Sequence, residues 1–255
     1  MSTLLHYEVT GDGPPLVLAG SIGSSLAMWE PQLPALADRF RVVRIDHRGH
    51  GRSPVPAGPY AIADLGADVL ALLDHLGERE VSLCGLSLGG MVGMWLAAHA
   101  PERVTALALL ATSAYLGPQL WEQRIAAVEA GGMTAIVDGA MARWFTPGFR
   151  SRRPDQVARY AAMLTATPAA GYLGCCAAIR DMDQRADVAK ISAPTLVMVG
   201  ADDAATPPAH ARDIAERIAG ARLEEVPGAA HLVNVERPDT VNGHLLDHLE
   251  RHAHG

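Results

Sequence analysis

Cysteine is scarce in this chain, at three residues: Cys84, Cys175 and Cys176. Two of them are adjacent, and neighbours in sequence can pair only by straining the backbone between them. Three such residues make a poor disulfide framework, so free thiols and a reducing compartment, the cytoplasm, are expected. Blocks of like charge are also missing. The 21 basic and 28 acidic residues leave a net charge of −7 with neither sign clustered. A phosphate-backbone partner such as nucleic acid is therefore not expected. The best apolar run, Met91 to Ala98, is far too short to cross a bilayer. The opening residues, MSTLLHYEVTGDGPP, contain no basic stretch leading into an apolar one. Neither a secretory leader nor a membrane partner is expected. Glycine (25) and proline (17) are scattered without period, which excludes a collagen-like repeat.

What is present is the material of one larger globular domain. Of 255 residues, 49% are apolar and 19% charged, enough for a substantial core and too apolar for a disordered chain. Short apolar runs bounded by turn residues recur at Leu16–Ala19, Arg41–Asp46, Val81–Leu86, Val104–Ala111, Thr195–Gly200 and Leu223–Val226. Their length and their Gly and Pro flanks indicate buried strands. Helical patterns lie between them. Leu65, Val69, Leu72, Leu73 and Leu76 keep a 3.6-residue spacing and stop at Gly77. Thr206-Pro207 predicts a capped helix start, with Ala211, Ile214, Ala215 and Ile218 as its apolar face and Gly220 as its end. The alternation predicts an α/β fold with a mostly parallel sheet flanked by helices. Residues 113–180 break it, with helical patterns and no convincing strand. They are expected to form a helical cap inserted into a core made of residues 1–112 and 181–255.

Four segments carry chemistry. In Val81 to Met91 a strand ends at Gly85-Leu86-Ser87-Leu88-Gly89 and a helix follows. A serine on so sharp a turn needs neighbours without side chains, and Gly85 and Gly89 are expected to permit a strained backbone there. The bare Gly-x-Ser-x-Gly pattern is weak, and the strand and helix around it give it weight. The strand at Thr195–Gly200 runs into Ala201-Asp202-Asp203, where either aspartate could orient a histidine. The strand ending at Val226 leads into a small-residue loop bearing His231. Leu16 to Gly23 is a strand entering a glycine-bearing loop. Its Ile22 N–H, with the N–H of Leu88, is expected to form an oxyanion hole. Most of the other histidines read as bland. His244, His248, His252 and His254 fall in or after the last helix and are expected to be solvated, and His99 is expected to end the helix that Ser87 opens.

Over nearly its whole length the chain resembles an α/β-hydrolase. The order Ser87, then aspartate, then His231 is that family's order. Gly200-x-x-Asp203 matches its acid position, which favours Asp203 over Asp202. Asp46-His47-Arg48-Gly49-His50-Gly51-Arg52-Ser53 is similar to a loop the family repeats, which should brace the site without reacting. Within the superfamily the chain looks most like bacterial 3-oxoadipate enol-lactonases. That likeness rests on Ser21-Ile22-Gly23, Met28 to Gln32, Arg143 to Thr146 with Phe149-Arg150, and Gly171 to Asp183. Gly20 departs from the pattern, because many members carry histidine there, and this bears on loop packing.

The resemblance implies a serine hydrolase that opens a small anionic lactone with Ser87, Asp203 and His231, using no metal and no organic cofactor. The lactone's carboxylate needs a cationic contact in a net-acidic protein. Arg124, Arg143 and Arg180 of the expected cap are the candidates, with Trp144 as a pocket wall. Other small-ester or lactone hydrolysis, cofactor-free haloperoxidase-like perhydrolysis and non-catalytic binding remain alternatives on the same fold.

Overall fold

The computed structural model describes residues 3–252. Seven strands form one sheet: β1 Tyr7–Thr10, β2 Pro15–Ala19, β3 Arg41–Ile45, β4 Val81–Leu86, β5 Val104–Leu110, β6 Thr195–Gly200 and β7 Arg222–Val226. The spatial order is β1-β3-β2-β4-β5-β6-β7. Every pairing is parallel except β1 with β3. The central strands β4 and β6 are buried at every residue, which is why each reads as a continuous apolar run. β1 was not legible in the sequence. It is an edge strand, YEVT, exposed over its last three residues, so no apolar run betrays it.

Twelve helices accompany the sheet among the described residues: α1 Leu33–Leu36, α2 Ile62–Leu76, α3 Leu88–His99, α4 Pro118–Gly131, α5 Val137–Trp144, α6 Pro147–Arg152, α7 Pro154–Ala166, α8 Ala169–Asp181, α9 Arg185–Val188, α10 Pro208–Arg217, α11 Val233–Glu236 and α12 Pro238–His252. Helix α2 buries Leu65, Val69, Leu72 and Leu73 and ends on left-handed Gly77, as the spacing predicted. Helix α3 packs on the sheet and ends at His99, whose ring bonds the Trp95 carbonyl. Between β5 and β6, which are neighbours in the sheet, the chain makes α4 to α9.

Two expectations fail here. Thr206 does not cap α10, which begins at Pro208 after Pro207; the Thr206 hydroxyl is drawn instead to Asp203. His248 is not solvated. It is buried, and its Nε2 bonds the Leu107 carbonyl at 3.1 Å, tying α12 to β5. Period 3.6 places it on the inner face of α12 with Val241, Leu245 and Leu249. His244 and His252 are partly exposed, and His254 lies outside the described residues.

The parallel strands β2, β4, β5, β6 and β7 end together at one edge of the sheet. Loops leaving that edge carry Ser21–Ser24, Ser87, Asp203 and His231. Carboxyl ends of parallel strands are where sites gather in sheets of this kind.

Candidate active site

Ser87 stands in the turn between β4 and α3 with φ 55° and ψ −112°. It and Ala111 are the two non-glycine residues with positive φ among those described. Such a backbone costs about 1–3 kcal/mol and persists only where its surroundings fix it. Here the Ser87 N–H donates to Leu110 O at 2.9 Å, and the Thr112 hydroxyl donates to Ser87 O at 2.7 Å. The two glycines act differently from the expectation. Neither has positive φ; each is required by close approach. A Cβ on Gly85 would lie 2.2 Å from Gly89 O, and one on Gly89 would lie 2.0 Å from Ala19 O. The serine itself carries the strain.

The loop after β2 is held from three sides. Met28 Sδ accepts from Ser21 N–H at 3.2 Å and from the Ser24 hydroxyl at 3.0 Å. His47 Nε2 bonds Gly20 O at 3.1 Å, and Gly23 N–H donates to His50 Nε2 at 2.9 Å. The last contact requires His50 to be neutral with its proton on Nδ1, which bonds Arg48 O. Burial pushes both imidazoles down, His47 to about 4, with His50 adding to the shift of His47. Asp46 takes part as well, accepting from Leu26 N–H, Arg52 N–H and His6. The 46–53 loop thus braces its neighbour. A Cβ at Gly20 would meet Met28 Sδ at 2.7 Å and Ser24 Oγ at 2.8 Å, so the departure from histidine there belongs to packing. With the N–H groups of Ser21, Gly23, Ser24, Ser87 and Gly89 engaged, those of Ile22 and Leu88 have no acceptor among the described residues.

Asp203 and His231 are both buried, and His231 Nδ1–H donates to Asp203 Oδ2 at 2.9 Å. The same oxygen accepts from the Thr206 hydroxyl at 2.8 Å, and Oδ1 accepts from Ala205 N–H and Thr206 N–H. Burial alone would raise the Asp203 carboxyl, but His231 and the Thr206 hydrogen bonds hold it below its ordinary value. Asp202 is exposed, with no side-chain bond to His231.

Ser87 and His231 face one narrow cavity, with Ser21, Ile22, Trp121, Arg124, Arg143 and Trp144 among its walls. Arg124 lies 4.5 Å from the Trp121 ring centre. Neither Arg124 nor Arg143 has a carboxylate partner among the described residues. Burial and the neighbouring Arg124 push the Arg143 guanidinium below its usual range. Arg180 does not belong with them. It makes a bidentate pair with Asp181 at 2.7 Å on the surface and does not line the cavity, because its place in the last turn of α8 points it away.

Sequence reasoning missed Glu236. This buried carboxylate accepts from Thr146 N–H (3.0 Å), the Thr146 hydroxyl (2.8 Å) and Ala230 N–H (2.5 Å). Beside it Leu232 N–H donates to Trp144 O at 3.0 Å. The segment after α5 is thereby pinned to the loop bearing His231. The only sequence signal was a single acid closing the stretch 229–235, which is apolar apart from His231 and Asn234.

A strand–serine–helix turn, an Asp–His pair and two free N–H groups at the carboxyl edge of a parallel sheet define a class. The profile of the alpha/beta hydrolase fold family matches residues 14–238, and the chain belongs to that family. It is 41% identical over 241 residues to 3-oxoadipate enol-lactonase 2 of Acinetobacter baylyi, covering 93% of this chain and 90% of that one. The crystal structure of the enol-lactonase from Burkholderia xenovorans LB400 superposes with a TM-score of 0.94 at 40% identity, covering 96% of each chain. A hydrolase from Pseudomonas aeruginosa PA01 superposes with a TM-score of 0.93 at 49% identity, covering 96% of this chain and 94% of that one.

Proposed function

We propose that the protein is a serine-type ester hydrolase that opens 3-oxoadipate enol-lactone to 3-oxoadipate in the catabolism of aromatic compounds. The observation that carries the chemistry is the buried Asp203–His231 pair facing the same cavity as Ser87. Ser87 Oγ attacks the lactone carbonyl while His231 Nε2 takes its proton. Asp203 holds the imidazole by Nδ1 and stabilises its charged form. The N–H groups of Ile22 and Leu88 receive the oxyanion, each worth about 3–4 kcal/mol in the transition state. Collapse breaks the ring C–O bond, and His231 returns the proton to the departing enol oxygen. Ketonisation of the enol removes a tethered nucleophile that could close the ring again. Water deprotonated by His231 then frees Ser87.

The substrate's carboxylate is matched by Arg124 and Arg143, two guanidinium groups without ion-pair partners in the cavity wall, and Trp144 supplies an apolar face. Residues 113–180 serve as the cap and residues 1–112 with 181–255 as the core, the boundary falling in the last turn of α8. The reaction uses only groups of this chain. Its site is the cytoplasm and its partner a small anionic lactone, without nucleic acid or membrane. Among the described residues no single helix is long and apolar enough to cross a membrane.

Turnover of the enol-lactone beside a neutral ester of similar size tests the reading. Arg124→Gln or Arg143→Gln should raise KM for the lactone about tenfold or more, the scale of one charged hydrogen bond, and spare the ester. Equal effects on both substrates, or no lactone turnover by the wild type, would reject the enol-lactone assignment.

A further inference from the structure

The groups proposed to react are almost wholly buried. Ser87 is 5% exposed and His231 3%, so a substrate must reach them through a gap in the wall. A second cavity of about 200 Å³, open to solvent, is lined by residues of α4, α5 and the turn between them. It shares three wall residues with the inner cavity: Leu120, Arg124 and Arg143. A residue lining both spaces stands between them. Leu120 is 44% exposed although large and apolar, and the two arginines, half-buried and without a carboxylate partner among the described residues, are costly to place there without an anion.

We infer that substrate enters, and product leaves, through this neck between α4 and α5, and that Arg124 and Arg143 receive the carboxylate at the mouth before the lactone reaches Ser87. The carboxylate half of this rests on the reading above; the route does not. Another open depression, lined by Ser113, His210, Arg185 and Arg217, offers no such charge. Its arginines are taken up by Asp183 and Asp213 at 2.6 and 2.8 Å. The neck's two charges are available, and repulsion between them eases when an anion sits between. A protein of net charge −7 repels anions at long range, so a cationic mouth sets the sign of the field where the substrate must pass.

Gly139 of α5 gives a direct test. It lines the second cavity, and the nearest atoms a Cβ there would meet belong to the flexible end of Arg143, at 3.3 Å. Replacing a helix glycine with a larger residue also favours the helix, so Gly139→Phe should fold while its ring fills the mouth. The expected result is a fall of about tenfold in kcat/KM for the lactone and for the neutral ester alike, with kcat changed much less. The neutral ester separates obstruction from lost charge, since it carries no carboxylate for the arginines to hold. In the wild type, raising ionic strength should lower kcat/KM for a carboxylate-bearing substrate and leave the neutral ester unchanged. Unaltered kcat/KM for both substrates in Gly139→Phe would overturn the route. A salt response that is absent or of opposite sign would overturn the cationic mouth. If the wild type hydrolyses esters but not the enol-lactone, the substrate assignment falls, while Gly139→Phe still tests the route on the ester.

Discussion

At the scale of residues, Ser87 shows how a costly backbone is kept. Its φ of 55° is imposed by bonds to Leu110 and Thr112 and by two glycines that let Gly89 reach Ala19. None of these contacts involves the hydroxyl, so Ser87→Ala should fold and lose turnover. His231→Ala should do the same. Because such groups act as a unit, the double variant should be little slower than either single one; additive losses measured as kcat would refute a shared mechanism. The adjacent aspartates separate just as sharply. Asp203→Asn presents an amide to His231 and should cost several orders of magnitude in kcat. Asp202→Asn changes only an exposed side chain and should cost less than a factor of about two. A reversed ranking would move the acid role to Asp202.

At the scale of elements, the link between α5 and the His231 loop is the part no single segment discloses. Glu236, at the end of α11, gathers Thr146 from the far side of Trp144 and Ala230 from the near side of His231. Its carboxylate is an acceptor at every lone pair used. Glu236→Gln keeps the shape and turns one acceptor into a donor facing an N–H. We expect a loss of about 1–3 kcal/mol in stability, read from the urea midpoint. A further fall in kcat is expected, because His231 and Trp144 lose their common anchor. Unchanged stability and rate would show that the carboxylate is dispensable. Helix α8 is fastened differently. A Cβ on Gly171 would lie 2.2 Å from Gly49 O, so backbone meets backbone between this helix and the 46–53 loop.

At the scale of the whole molecule, buried imidazoles make stability depend on pH. His47 and His248 are each held neutral, with pKa values lowered to about 4 chiefly by burial. In the unfolded chain each would titrate near 6.5. Below that value the unfolded state binds protons that the folded state refuses. Their stabilisation is complete above about pH 6.5 and is lost as pH falls toward 4, roughly 3 kcal/mol for His47 alone. The urea midpoint should therefore drop between pH 7 and pH 5, before most carboxylates titrate. A midpoint that stays level over that range would contradict these assignments.

The sequence by itself determined the sheet's central strands, because burial on both faces demands continuous apolar runs, and α2, because a one-sided burial demands 3.6-residue spacing. It also pointed to Ser87, His231 and the loop after β2 as candidates, since sharp turns and small-residue loops leave local marks in glycine and chain order. The strand and loop by themselves left two neighbouring acids open; the family's Gly200-x-x-Asp203 spacing favoured Asp203, and the fold buries Asp203 against His231 and exposes Asp202. Edge strand β1 left no mark because its surface is mostly wet. The buried face of His248, the lack of a carboxylate partner for Arg124 and Arg143 among the described residues, the removal of Arg180 to the surface and the reach of Glu236 were decided by tertiary structure alone. Each depends on which residues distant in sequence come within 3 Å or so, and hydrogen-bond partners of that kind have no period or motif to announce them.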